Sequence, residues 1–288
     1  YSLTGSAENP AEYEIAVRRI GPGGEGMPPG RMSTRLHELA AGSIVTLQPP
    51  AGIFTPPLTG NRPVILVAAG VGITPFVGYL AALARTLPEQ RPPSVELVYI
   101  CRNGAEQPFG DWLSTIAGRI PELRVIRAFT RPRQEDRPGC DFDHAGRPDI
   151  AGLGLVPGAR RPLAYLCGPD GFVADTRAAL ASIGLPGFDV FSEVFVSQID
   201  IPANLAPRRI VLQRSGASFD WSVQAGSLLD AAEAAGLSLP SGCRSGQCES
   251  CRLRVVSGTA SHLSPHDGEP DDCLTCCAVP LSDLVLDA

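Results

Sequence analysis

Three cysteines in a window of nine residues constrain this chain more than any other feature. Cys243, Cys248 and Cys251 stand in a Cys-x4-Cys-x2-Cys run within "SGCRSGQCESC". A loop carrying three thiols so close together must wrap around something, because thiols left facing one another offer little packing. Gly242 and Gly246 permit the left-handed backbone and close approach that such a wrap requires. The spacing is that of a [2Fe–2S] site completed by a distant fourth cysteine; structural zinc sites more often use two short Cys-x2-Cys pairs. The chain holds nine cysteines, and six fall in its last 46 residues. An odd, clustered count fits a cytosolic metal site better than a disulfide framework.

The rest of the chain divides by its hydrophobic grammar. Residues 1–58 hold short alternating segments, "YEIAVRRI" and "SIVTLQP", between Gly- and Pro-rich turns, which is antiparallel strand patterning. From Arg62 continuous apolar runs alternate with helical stretches: "PVILVAAG", "FVGYLAALARTL", "SVELVYICR", "FGDWLSTIAGRI", "LRVIRAFT", "LAYLCG" and "GFVADTRAALASIGL". That alternation predicts a parallel sheet covered by helices. Residues 199–209 read as a linker with few apolar anchors. Beyond it, "RIVLQRSGASFDWSV" reads as a hairpin and "SLLDAAEAAG" as a short helix before the cysteine loop. No apolar run is long enough to span a bilayer. The net charge of −6 argues against a nucleic-acid partner. No charged-then-apolar leader is found, so a cytoplasmic location is expected.

Several motifs together resemble the ferredoxin–NADP reductase-like oxidoreductases. "YSLTG" (1–5) resembles the end of their flavin motif, "GRMSTRLHE" (30–38) their flavin-phosphate turn and "PAGIF" (50–54) the close of their flavin barrel. "AGVGITP" (69–75), "CGPDGF" (167–172) and "FSEVF" (191–195) resemble the nicotinamide-domain signatures, and "LTCCAVP" the closing segment of plant-type ferredoxins. The order is that of phthalate dioxygenase reductase and its relatives. "RPRQEDRPGCDFDHAGR" (131–147) further resembles the reductase portion of fusions bearing a MOSC domain.

The resemblance implies a multidomain fold: a partial antiparallel flavin barrel (1–60), an α/β parallel-sheet nicotinamide domain (61–198), a linker (199–207) and an α+β plant-type ferredoxin domain (208–288). It also implies that residues preceding Tyr1 supply the first half of the barrel. Its activity is electron transfer from NAD(P)H through a flavin to the cluster, then to a terminal oxygenase of Rieske or haem type or to a fused N-terminal domain. The alternative is a non-enzymatic ferredoxin-like or metal-stabilised carrier module with a degenerate flavin half.

Site residues follow from the same motifs. Ser2 would hydrogen-bond the reactive edge of the flavin ring, with Tyr1 and Leu3 beside it. Gly30, Arg31, Met32, Ser33 and Thr34 would form the phosphate turn, although Ser-Thr is also an ordinary helix cap. FAD is expected, with FMN as the alternative. Gly70, Gly72, Thr74 and Pro75 would meet the dinucleotide pyrophosphate. Cys167, Gly168 and Pro169 would lie at the nicotinamide, with Glu193 and an aromatic Phe195 facing the flavin. Arg102 would pair with a 2′-phosphate or stack on adenine, and NADH is expected ahead of NADPH. Among three candidates for the fourth cluster ligand, the closing segment favours Cys276 over Cys277 and Cys273. In an extended strand Cys277 would point away. His37 reads as a helix-start packing residue; His144, His262 and His266 read as solvated.

Overall fold

The computed structural model describes residues 1–5, 12–19, 21, 31–47, 49–50, 52–155, 160–195, 201–242, 244, 246, 248–263, 269 and 271–288. They form two compact units. One joins Tyr1–Val45 to Phe54–Val194, and the other joins Thr46–Ile53 to Phe195–Ala288.

The first unit is built on a six-stranded parallel sheet. Its strands are β1 (Val64–Ala69), β2 (Val95–Cys101), β3 (Leu123–Phe129), β4 (His144–Ala145), β5 (Leu163–Cys167) and β6 (Val190–Glu193), in the order β4-β3-β2-β1-β5-β6. β1 is an uninterrupted apolar run and β2 is broken only by Glu96, because both of their faces are covered. Alternate residues of β1 enter different cores. Val64, Leu66 and Ala68 pack with helices α2 (Thr74–Leu83) and α3 (Gly110–Ala117), whereas Ile65 and Val67 pack with α4 (Asp170–Ser182). Helices therefore lie on both faces. Glu96 in β2 is tolerated inside because Arg124, its register partner on β3, donates to it.

The described residues of 1–58 show no sheet of the antiparallel strands expected there. Among the described residues this stretch shows one helix, α1 (Arg31–Glu38), and one antiparallel bridge, Leu3 to Ile15, with the Thr4 N–H donating to Glu14 O at 2.8 Å. The apolar face of the second segment has no opposing layer, and Ile44 is 97% exposed. A lone strand pair without a covered face has little to hold it.

The second unit carries a five-stranded mixed sheet of β7 (Arg208–Leu212), β8 (Ser218–Trp221), β9 (Arg252–Ser257), β11 (Asp272–Leu274) and β13 (Leu284–Leu286), ordered β11-β9-β13-β7-β8. β10 (Ala260–His262) and β12 (Ala278–Pro280) form a separate antiparallel pair. β7 and β8 are the expected hairpin, and β13 closes in parallel on β7. Helix α5 (Leu228–Ala234) opens with a capping box between Ser227 and Asp230. It packs on Trp221, which is fully buried and donates Nε1–H to Gly226 O at 2.8 Å. Ile201 and Leu205, from the stretch read as a linker with few apolar anchors, also pack against this core.

Candidate functional site

In the first unit the chain reverses its direction of travel across the sheet between β1 and β5. Open α/β sheets bind ligands in the crevice at the carboxyl ends of such strands. Both strands end in glycine turns here. Gly70 has φ +55° and starts the short 3₁₀ turn Gly70–Ile73, and Pro75 sits in the first turn of α2. Thr74 is buried and donates Oγ1–H to Val71 O at 3.0 Å. Gly72 presses on the other turn: a Cβ there would stand 2.3 Å from Cys167 O. A Cβ on Gly168 would meet Phe172 at 2.7 Å and Ala69 at 3.0 Å. The glycines thus let two backbones close into one cradle.

Cys167 ends β5 fully buried, beside Glu193 at the end of β6, its register partner. Burial pushes the Cys167 thiol well above its ordinary range, and the Glu193 charge adds to this. Burial also raises the Glu193 carboxyl, against the pull of Ser2. The Ser2 hydroxyl draws on that carboxyl, yet its Oγ is buried without a well-formed hydrogen bond. A buried hydroxyl left without a good partner fits a polar ligand atom arriving there. The residues beside it are held by a contact that sequence reasoning missed. A Cβ on Gly78, inside α2, would lie 2.8 Å from Leu3 O, so glycine admits that backbone to the helix. The available signal was an isolated glycine within a helical pattern.

The remaining expected flavin and nucleotide residues are placed as follows. Tyr1 is 61% exposed. In α1 Ser33 is buried and Met32 is exposed, with Thr34 between them in exposure. Gly30 and the Arg31 side chain lie outside the described residues. Pro169 precedes α4 at its N-cap. Arg102 is exposed and ion-paired with Glu106 at 3.3 Å. Phe195 is 40% exposed and groups with the second unit. His37 sits in the last turn of α1, not its start, and its Nε2 meets Val17 O at 2.9 Å.

In the second unit the cysteine loop turns sharply. Arg244, Gly246 and Glu249 all have left-handed φ, at +57°, +75° and +56°. Two of these are not glycine, and ion pairs tether both: Arg244 to Glu233 and Asp230 of α5, Glu249 to Arg252. A Cβ on Gly242 would stand 2.6 Å from Cys248 Sγ. Cys251 Sγ lies 3.2 Å from Cys276 Sγ. The Cys276 N–H points at the Cys251 sulfur and the Gly246 N–H at the Cys276 sulfur. Cys243 lies outside the described residues. Hydrogen bonding with Cys276, then burial, raises the Cys251 pKa, and burial raises that of Cys273 to about 12. Thiolates here therefore need a metal to compensate them. Among the described residues no three such ligands converge on a single metal ion. Paired thiols with inward N–H groups suit a two-iron cluster, which spreads its four thiolates over two irons.

Two expectations are corrected in this unit. Thr275–Cys277 is a 3₁₀ turn and not extended, so strand alternation does not separate the candidate thiols; Cys276 and Cys277 are both buried. His262 is not solvated: it pairs in β10, and its Nε2 accepts from the Leu274 N–H at 3.0 Å, which fixes the closing segment to β10. His144 is exposed, as expected, and His266 lies outside the described residues.

Residues 66–178 match the oxidoreductase NAD-binding domain, and 210–281 match the 2Fe-2S iron-sulfur cluster binding domain. The NADPH oxidoreductase of Mycobacterium tuberculosis is 32% identical over 291 residues, which cover 100% of this chain and 71% of that protein. The chain belongs to the ferredoxin–NADP reductase-like flavin/[2Fe–2S] oxidoreductases. The flavohemoprotein of Bordetella pertussis is 32% identical over 199 residues, covering 68% of this chain and 47% of that protein, so the chain spans about half the length of the flavohemoproteins it matches. Two solved structures share the fold across 100% of this chain. An intact type IV self-sufficient cytochrome P450 monooxygenase has a TM-score of 0.65 at 23% identity, with 35% of it covered. Phthalate dioxygenase reductase has a TM-score of 0.55 at 24% identity, with 83% covered. In this flavin/[2Fe–2S] oxidoreductase the parallel sheet is the nicotinamide domain and the mixed sheet the ferredoxin domain. No helix among the described residues is long and apolar enough to cross a membrane.

Proposed function

We propose that this chain carries electrons from NAD(P)H through a flavin to its [2Fe–2S] cluster and on to a redox partner. The observation that supports it most is the poorly satisfied Ser2 hydroxyl beside Glu193 and Cys167, at the strand ends where the nucleotide cradle opens. A flavin bound there converts the two-electron hydride donor into single electrons for the cluster. Ser2 would donate its hydroxyl proton to the ring edge. Cys167 and Glu193 would border the nicotinamide, and Gly70 and Gly72 would admit its pyrophosphate. Ser33 and Thr34, with Gly30, Arg31 and Met32, would hold the flavin phosphate, and Phe195 would cover the ring. Residues 1–60 would take part in a flavin barrel. We favour FAD over FMN and NADH over NADPH, although the relative named an NADPH oxidoreductase supports the phosphorylated nucleotide. Cys243, Cys248, Cys251 and Cys276 would ligate the cluster.

Residues 208–288 hold ten acidic residues against six arginines, which suits a partner with a basic docking face. A terminal oxygenase of Rieske or haem type, or a fused haem domain, has the required chemistry. The reduced nucleotide and free thiols suit a cytoplasmic setting. The test is the absorption spectrum of the purified protein before and after anaerobic NAD(P)H. Flavin and iron–sulfur bands that both bleach are expected, and a colourless protein would overturn the proposal. The open face at Ile44 favours a second reading, a ferredoxin-like carrier. Iron–sulfur absorption without flavin bands, and without NAD(P)H bleaching, would establish it instead.

A further inference from the structure

Tyr99 of β2 is fully buried, and its hydroxyl lies between two loops. It stands 3.2 Å from Gly70 O on one side and 3.1 Å from Pro108 O on the other, so its single proton is shared between the two carbonyls. Gly70 begins the turn of the nucleotide cradle. Pro108 ends the loop that follows β2, where nucleotide-binding α/β sheets present an acidic residue to the adenosine ribose. That loop is already organised. Glu106 meets Arg102 at 3.3 Å and Asn103 at 3.3 Å, and Asp136 Oδ1 accepts the Gly104 N–H at 3.2 Å. Gly70 is left-handed at φ +55°, and so is Phe109, the residue directly after Pro108, at +61°. For a bulky aromatic this conformation is strained and needs its surroundings to hold it. Two residues on, the Cys101 thiol meets the Gly70 N–H, so β2 holds Gly70 through both of its backbone polar groups, which belong to the two peptides flanking its Cα. Burial keeps the Tyr99 phenol protonated, and hence a donor.

We infer that Tyr99 is a positioning residue for the dinucleotide: it ties the pyrophosphate turn to the ribose loop, so that the two ends of the adenosine diphosphate half are bound by one rigid frame. This rests on the NAD(P)H reading above. The test is Tyr99→Phe, which keeps the buried ring and removes only the hydroxyl. KM for NAD(P)H should rise about five- to tenfold, the effect of one lost buried hydrogen bond, while kcat holds. ADP-ribose, which spans both loops, should weaken as an inhibitor by the same factor. Adenosine, which reaches only one loop, should not. An unchanged KM, an equal fall in kcat, or equal weakening of adenosine would overturn the inference. Should Tyr99→Phe fail to fold, Cys101→Ala frees the same Gly70 peptide; it should weaken ADP-ribose two- to threefold, and unchanged binding would count against the inference. Failure of the wild type to bind ADP-ribose would remove the functional reading and this inference with it. Wild-type binding with an unaffected variant would remove the inference alone.

Discussion

Replacing Gly72 with alanine tests the cradle most directly. Its added Cβ would lie 2.3 Å from Cys167 O, 2.7 Å from Cys167 C and 3.0 Å from Gly168 N. Ordinary contact begins at 3.4 Å, so the shortfall against the carbonyl oxygen is about 1.1 Å. All three neighbours are backbone atoms, and no side-chain rotation relieves the clash. The turns must part, yet each is anchored by a buried strand, β1 or β5, paired in register from Val64–Leu163 to Ala68–Cys167. Overpacking of this kind costs ~1–3 kcal/mol. For a unit of this size that is a fall in Tm of roughly 2–12 °C. The functional cost should be larger, because Cys167 would border the nicotinamide and a displacement of ~1 Å at a reacting centre costs about a hundredfold in rate. Anaerobic stopped-flow reduction of the flavin by NAD(P)H measures that rate, and calorimetry the stability. The iron–sulfur absorption serves as the internal control, since Cys251 and Cys276 lie in a separate core. A Gly72→Ala protein with wild-type Tm and a reduction rate within about threefold of wild type would refute the close approach of the two turns.

Two further outcomes are expected. Cys276→Ser should lose the cluster and Cys273→Ala should keep it, because Cys276 Sγ meets Cys251 Sγ at 3.2 Å while Cys273 is buried within β11; iron content and the EPR signal after reduction decide this, and full occupancy in Cys276→Ser would move the ligand to a neighbouring thiol. Burial first, opposed by Ser2, holds the Glu193 pKa above its ordinary 4.5, so folding favours the protonated acid; that contribution is complete below 4.5 and lost as pH rises through the folded value. Tm should therefore fall relative to Glu193→Gln across that window, and parallel Tm–pH profiles for the two proteins would dismiss the effect.

The elements that could be read from the sequence are those whose signal lies within a few residues. "PVILVAAG" declares a strand covered on both faces, and "AGVGITP" a turn into a helix, because each pattern is local. Cys243, Cys248 and Cys251 announce their chemistry for the same reason. What escaped depends on contacts distant in sequence. Nothing around Gly78 says that the backbone of Leu3 will lie against it. Nothing in "VYICR" says that the Tyr99 hydroxyl will reach Gly70 and Pro108 at once. His262 read as a loop residue because "SHLSPHDG" is polar, while its actual partner is a backbone N–H twelve positions on.

Residues 1–58 differ in kind. Alternation states which face of a segment is apolar and says nothing of what covers it. "YEIAVRRI" and "SIVTLQP" alternate as barrel strands do, but Ile44 is almost wholly exposed, and among the described residues of this stretch only the Leu3–Ile15 bridge forms. A strand is stabilised by its neighbours and its covered face together, and the described residues of this stretch supply neither. The contacts that do order its ends come from the nicotinamide sheet. Leu3 lies against Gly78, and Phe54 packs on Phe76 and Tyr165 with ring centroids 5.9 and 5.5 Å apart. Tyr165 in turn stacks on Phe191 of β6 at 4.9 Å. The residues proposed to meet the flavin are thus positioned from the nucleotide side. Loosening α2 at Gly78 should therefore disturb Ser2 before it disturbs the sheet.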